Sequence, residues 1–329
     1  MSASASSSPS STPTLTNPPT LPLRNGMQHP VIGFGTYKVG FIPASASAAV
    51  AGTQDHVERT AQECVQDALQ VGYRFLECAE FYGNEEQVGK AIAASGIPRN
   101  ELFLCSKVWT TTIEQGPVAI SAQLDKTLSD LGTDYIDLYL IHWPVPGKHV
   151  EAYKTLETLQ EQGKIKGIGV SNYAWEDYLE LKEAGVSQLP CVNQIEINPF
   201  LYRKNTIQKF QDDGVVLQSY RSLRDGKAFD HPTLKEIASA KNKTPAQILG
   251  RWCVQKGFVY VPKSVKKERM EENAQVFDFE LSGDDMDRLD SLTSPEAIET
   301  FVGLYRKCVN RDTSKDGTLE GVKMNITED

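Results

Sequence analysis

No apolar run in this chain approaches the roughly 18 residues a membrane-crossing helix needs, so no membrane partner is expected. Basic excess is missing as well. Thirty-four Lys and Arg face 43 Asp and Glu, giving a formal charge of −9, and a phosphate-binding surface usually reverses that balance. No nucleic-acid partner is expected. The six cysteines (Cys64, Cys78, Cys105, Cys191, Cys253, Cys308) contain no C-x-x-C pair. Several lie in apolar segments and read as reduced, buried thiols of a cytoplasmic protein. The five histidines (His29, His56, His142, His149, His231) share no ligand spacing with them or with one another, which predicts no metal. A G-x-G-x-x-G turn is absent too: Ile32-Gly33-Phe34-Gly35-Thr36 is glycine-rich, but no helix opens directly behind it.

What is present divides unevenly. Residues 1–20 carry no charge and are dominated by Ser, Ala, Thr and Pro, the composition of a disordered tail. Without arginine it does not resemble a mitochondrial presequence, although a Ser-rich plastid-type leader remains an alternative. Order is expected from Leu21, with residues 21–329 forming one domain. Asn25-Gly26 between short extended segments predicts a type I′ hairpin.

From there strands and helices alternate. The predicted strands are Val31 to Thr36, Arg74 to Ala79, Leu102 to Trp109, Tyr135 to Trp143, Ile165 to Ser171, Cys191 to Ile197, Val215 to Tyr220 and Phe258 to Ser264. Their apolar runs suit a parallel sheet covered on both faces. Eight βα units in one domain of this length predict an α/β fold of the (β/α)8 TIM-barrel class, with an N-terminal hairpin and a loose C-terminal tail. An open doubly wound sheet would usually bring the glycine-rich phosphate turn that is lacking.

In such a barrel every strand's C-terminal end faces one rim. There lie Thr36 and Tyr37, Glu77 and Tyr82, Lys107 and Trp109, His142 and Trp143, Ser171 and Asn172, Gln194 and Glu196, Tyr220, Lys263 and Ser264. Singly each has an ordinary explanation: Lys107 as a snorkelling lysine, His142 as a core histidine, the tryptophans as packing. Together they describe chemistry. A phenol titrates near pH 10 and is a weak acid at neutrality, but a neighbouring ammonium stabilises its anion, and a carboxylate keeps that ammonium in place. A histidine on the next strand can orient a carbonyl oxygen by hydrogen bonding. Such a site lacks only a hydride, which implies a reduced nicotinamide.

Six segments in order carry a resemblance. They are Glu77-Cys78-Ala79-Glu80-Phe81-Tyr82-Gly83-Asn84-Glu85, Ser106-Lys107-Val108-Trp109, Asp137-Leu138-Tyr139-Leu140-Ile141-His142-Trp143-Pro144, Gly167-Ile168-Gly169-Val170-Ser171-Asn172, Asn193-Gln194-Ile195-Glu196 and Val261-Pro262-Lys263-Ser264-Val265. From about residue 21 to about residue 300 the chain resembles an aldo-keto reductase. The resemblance implies a general acid at Tyr82, with Lys107 lowering its pKa and His142 orienting the substrate carbonyl. It implies that Thr36, Ser171, Asn172, Gln194 and Tyr220 hold the nicotinamide half of the cofactor, and that Lys263, Ser264, Arg269, Glu272 and Asn273 hold an adenosine phosphate. A lysine and an arginine there suit a 2′-phosphate, hence NADPH. Tyr37, Trp109, Trp143 and Phe301 would line an aromatic pocket for a small-molecule carbonyl substrate. A monomer is expected. A nicotinamide-binding redox sensor and a barrel hydrolase using Glu77 with Glu80 are the rival readings.

The chain departs from the resemblance in three places. Glu77 stands where the family has aspartate, and its ion pair with Lys107 is expected to survive in shifted geometry. Arg221-Ser222-Leu223-Arg224 follows Tyr220 in place of Ser-Pro-Leu-Gly, so Arg221 or Arg224 either contacts cofactor phosphate or is solvated. Glu80 either lines the pocket, disfavouring acidic substrates, or faces away.

Overall fold

Period-two alternation along the strands sorts their side chains into two cores. The computed structural model describes residues 14–40 and 59–299. An antiparallel hairpin of β1 (Thr20–Pro22) and β2 (Gln28–Pro30) precedes β3 (Phe34–Gly35), β4 (Phe75–Glu77), β5 (Phe103–Val108), β6 (Ile136–Ile141), β7 (Ile165–Ser171), β8 (Val192–Glu196), β9 (Val216–Tyr220) and β10 (Val259–Tyr260). The last eight form one parallel sheet in chain order. It closes on itself: the Gly33 amide donates to Tyr260 O and the Gly35 amide to Pro262 O, both at 2.9 Å. The (β/α)8 barrel is therefore as expected.

Around it lie α1 (Ala61–Val71), α2 (Glu85–Ser95), α3 (Thr110–Gln115), α4 (Pro117–Leu131), α5 (His149–Glu161), α6 (Trp175–Glu183), α7 (Lys204–Asp212), α8 (Pro232–Lys241), α9 (Pro245–Gln255), α10 (Lys267–Ala274) and α11 (Gly283–Asp290). Their starts are written locally. Thr60 with Glu63 and Thr244 with Gln247 form capping boxes, and Pro117 and Pro245 occupy the first helical turn. No described helix is long and apolar enough to cross a membrane.

Outward positions such as Leu76, Leu104, Tyr139, Ile168, Ile195 and Leu217 pack against the helices. The alternate positions Phe75, Phe103, Cys105, Leu138, Leu140, Val192 and Val259 fill the barrel interior. Continued two residues at a time toward the strand ends, that inward series arrives at Glu77, Lys107, His142, Ser171, Glu196 and Tyr220. The alternation that buries an apolar floor thus delivers polar groups to the mouth. Gly33 is required by this packing, because a Cβ there would meet the Phe75 ring at 2.1 Å. Gly33→Ala is expected to cost about 1–3 kcal/mol by overpacking, read as a lowered Tm, with Phe75→Leu restoring part of it.

Two local expectations are corrected. Packed chain begins before Leu21: Leu15 is buried, and its amide donates to Val71 O at 2.8 Å, so the tail drawn through residue 20 was too long. An isolated leucine in a Ser/Thr/Pro run gives no periodic signal for this. The hairpin turn is also not type I′. The Gly26 amide donates to Leu23 O at 2.9 Å and Gly26 alone is left-handed, at φ 86°. Arg24 and Asn25 stay in the ordinary region, and the glycine absorbs the single positive φ that this wider loop needs.

Candidate active site

The turn after β4 is a single 3-10 turn, Glu80–Tyr82, closed by left-handed Gly83 at φ 67°. Asn84 anchors it to the segment that follows β3, its Nδ2 donating to Thr36 O at 2.9 Å and Val39 O at 3.2 Å. That places the half-buried Tyr82 over the barrel mouth with its hydroxyl inward. The hydroxyl donates to Glu77 Oε1 at 3.0 Å, and Lys107 Nζ donates to the phenol oxygen at 3.0 Å. Lys107 is fully buried, ion-paired with Glu77, and donates also to Cys78 O at 2.8 Å. The Glu77–Lys107 pair thus survives the longer carboxylate, as expected. One oxygen of Glu77 serves both the ammonium and the phenol.

The expected lowering of the Tyr82 pKa is not found. It is raised well above 10, first by burial and then by the Glu77 charge and hydrogen bond. The nearby carboxylate keeps the proton on the phenol, the form a proton donor requires. His142 follows just past the end of β6, buried, its ring centroid 4.7 Å from that of Trp109 and 5.9 Å from that of Tyr82, edge to face in both cases. Burial first, and the Lys107 charge second, hold its pKa well below 6.5, so the imidazole is neutral. Its Nδ1 is buried without a hydrogen-bond partner among the described residues. A neutral imidazole beside a protonated phenol can hydrogen-bond a carbonyl oxygen.

The rival carboxylate pair is not present as a pair. Glu80 accepts from the Trp109 amide and from Thr112 Oγ1, each at 2.6 Å. Burial raises its pKa against those two bonds. Its work is to tie the Tyr82 turn to the start of α3. Trp109 consequently stacks on Phe81, centroids 4.0 Å apart and planes at 22°. Tyr37 lies 5.1 Å from the Tyr82 ring and Trp143 is buried next to His142 in sequence. Phe301, and the loop beyond Gly40, lie outside the described residues.

On the opposite wall Asn172 is left-handed at φ 60°, and its side chain spans three elements. Nδ2 donates to His142 O at 3.0 Å and Ser171 Oγ at 3.1 Å, while Oδ1 accepts from Tyr220 OH at 2.8 Å. Ser171 Oγ donates to Gln194 O at 2.8 Å. Ser171, Asn172, Gln194 and Tyr220 are thus joined in one hydrogen-bonded group. Thr36 is different: its buried hydroxyl donates to Glu77 O at 3.0 Å and so braces the strand end.

Lys263 and Arg269 are exposed, at the end of the last strand and in α10, and neither forms an ion pair among the described residues. Ser264 accepts from the Lys266 amide at 3.0 Å, shaping the entry to α10, while Asn273 is buried and Glu272 half-buried. Two unneutralised cations beside a helix start fit a phosphate. Arg221 and Arg224 are engaged elsewhere: Arg221 with Glu196 at 3.1 Å and Asp225 at 3.6 Å, Arg224 over the Phe200 ring at 5.1 Å. Sequence reading gave Asn84 no role of its own, although the first of the six segments contains it.

Residues 32–294 match the family model described as "Aldo/keto reductase family". A glyoxal reductase of Bacillus subtilis (strain 168) is 40% identical over 280 residues, covering 85% of this chain and 94% of the relative. The crystal structure of an aldo/keto reductase from Brucella melitensis superimposes with a TM-score of 0.74 at 36% identity, covering 84% of this chain and all (100%) of that one. That of a Bombyx mori aldo-keto reductase in complex with NADP gives a TM-score of 0.74 at 27% identity, covering 84% and 94%. With the closed barrel and the Tyr82–Lys107–His142 cluster at its mouth, these likenesses establish that the chain belongs to the aldo/keto reductase family.

Proposed function

We propose that, in this carbonyl-reducing NADP-dependent aldo-keto reductase, Tyr82 supplies the proton, His142 receives the carbonyl oxygen, and NADPH is used in preference to NADH. The observation that carries the reading is the convergence of the Tyr82 hydroxyl on Glu77 Oε1 and Lys107 Nζ, each at 3.0 Å, beside a neutral His142. The bound reduced nicotinamide supplies the hydride. Everything else falls to the chain. His142 can donate one N–H to the carbonyl oxygen and polarise it. As negative charge grows on that oxygen, the phenol proton moves to it, and the Lys107 ammonium stabilises the phenolate left behind. Glu77 holds the ammonium in position and is itself held by it.

Ser171, Asn172, Gln194 and Tyr220 are assigned to the nicotinamide end. Lys263, Ser264, Arg269, Glu272 and Asn273 are assigned to the adenosine phosphate. Tyr37, Trp109 and Trp143 favour a medium-sized apolar aldehyde or ketone. The five described cysteines are free and buried, in keeping with a reducing, cytoplasmic setting. Val118 is the one large hydrophobic that is strongly exposed among the described residues, in keeping with a monomer.

The test is oxidation of NADPH and of NADH against a panel of small aldehydes and ketones. Removing two phosphate contacts (Lys263→Ala with Arg269→Ala) is expected to raise the NADPH KM roughly 100-fold and to leave NADH within about twofold. Equal losses for both cofactors would assign the two cations to something other than the 2′-phosphate.

A further inference from the structure

Two buried side chains, His29 and Gln218, link the barrel floor to Gln194. Gln194 and Gln218 face each other across β8 and β9, and Gln194 Nε2 donates to Gln218 Oε1 at 2.7 Å. Gln218 Nε2 lies 2.7 Å from Nε2 of His29, which the N-terminal hairpin inserts into the barrel floor. His29 Nδ1 lies 2.7 Å from Pro30 O. All three side chains are buried. The His29 ring is fixed by Phe75 and Phe103, at 4.8 and 4.4 Å between centroids.

This linkage has one consistent direction. A carbonyl oxygen only accepts, so the hydrogen bond to Pro30 O puts the imidazole proton on Nδ1. Burial pulls the His29 pKa down to about 4, so the ring is neutral and its Nε2 is a bare acceptor. Gln218 must then turn its NH2 toward His29 and its oxygen toward Gln194. Gln194 must answer with its own NH2. The end of the Gln194 amide not committed to Gln218 is therefore the acceptor, Oε1. Rotating Gln194 by half a turn would set two carbonyl oxygens against each other in a buried site, a costly arrangement.

We infer that His29 and Gln218 are positioning residues that lock the Gln194 amide with its oxygen toward the cofactor, so that the site selects a nicotinamide ring bearing an NH2 donor. The inference rests on the assignment of Gln194 to the nicotinamide end. It adds that the selection is set from the barrel floor, by two residues that do not touch the cofactor.

The experiment measures binding at equilibrium, without turnover. Three probes are used: NADP+, its 3-acetylpyridine analogue, in which a methyl replaces the NH2, and 2′-phospho-ADP-ribose, which has no ring. Wild type is expected to bind NADP+ about 10-fold more tightly than the analogue, the worth of one hydrogen bond. Gln218→Met keeps the length but frees Gln194 to rotate and offer its NH2 to the acetyl oxygen. Its ratio is expected to fall to about twofold or less, while 2′-phospho-ADP-ribose binds as in wild type. Gln218→Glu, which still accepts from Gln194, is expected to restore the ratio. His29→Leu releases Gln218 and carries the same expectation as Gln218→Met if that variant does not fold. A variant that binds 2′-phospho-ADP-ribose normally and keeps the full ratio overturns the inference, as does a wild type with no preference between the two rings. If wild type binds 2′-phospho-ADP-ribose but gains nothing from either ring, the assignment of Gln194 to the nicotinamide falls, and the inference with it.

Discussion

Tyr82→Phe is expected to lower kcat at least a thousandfold, within the roughly 10²–10⁴ range of a positioned proton donor, while the NADPH Kd stays within about twofold. The substitution removes one oxygen and little else. The ring keeps its neighbours, with the Tyr37 and His142 ring centroids at 5.1 and 5.9 Å. The Glu77–Lys107 pair remains closed, and Lys107 keeps its bond to Cys78 O, so no buried charge is stranded. Stability should therefore hold while the proton is lost. Both quantities are read on one preparation, by steady-state NADPH oxidation and by fluorescence titration. Turnover above about a tenth of wild type would move the proton source to His142 or to water. Glu77→Asp belongs beside it. Aspartate is the residue the family carries there, and activity equal to or above wild type is expected if the longer carboxylate is a tolerated substitute.

How far the sequence could be read follows from what kind of signal each feature leaves. The barrel was legible because eight apolar runs alternate with helical segments, and the rim residues because Glu77, Lys107, His142 and Ser171 fall at or near the C-terminal ends of those runs. Side-chain hydrogen bonding across elements leaves no such signal. Glu80 could be placed two residues before Tyr82, but nothing in the sequence joins it to the Trp109 amide and Thr112, at the start of α3. Likewise Arg221 read as a free cation because its partner, Glu196, lies one strand away. The direction of the Tyr82 shift was missed for a related reason. Sequence gives the neighbours of the phenol, but whether the ammonium or the carboxylate dominates depends on which already holds the other. Here Lys107 is taken up by Glu77 and Cys78 O, so burial and the carboxylate decide.

That same closure sets the second large effect. Lys107→Met is expected to destabilise the fold by about 3–5 kcal/mol, because it leaves Glu77 buried without its counter-charge. The ammonium donates to Glu77, to Cys78 O and to the Tyr82 oxygen, so three acceptors lose their donor at once. Methionine fills nearly the same volume, which keeps a cavity from explaining the loss. Adding Glu77→Gln removes the stranded charge, and the double variant is expected to recover most of the Tm. It is not expected to recover turnover. With no ammonium beside it, a phenolate at Tyr82 is unstabilised, and proton delivery fails in a folded protein. Thermal denaturation and NADPH oxidation on both variants separate the two roles. A Lys107→Met protein as stable as wild type would mean that Glu77 relaxes by taking a proton at little cost. Recovery of turnover in the double variant would remove the ammonium from the chemistry and leave burial alone to tune Tyr82.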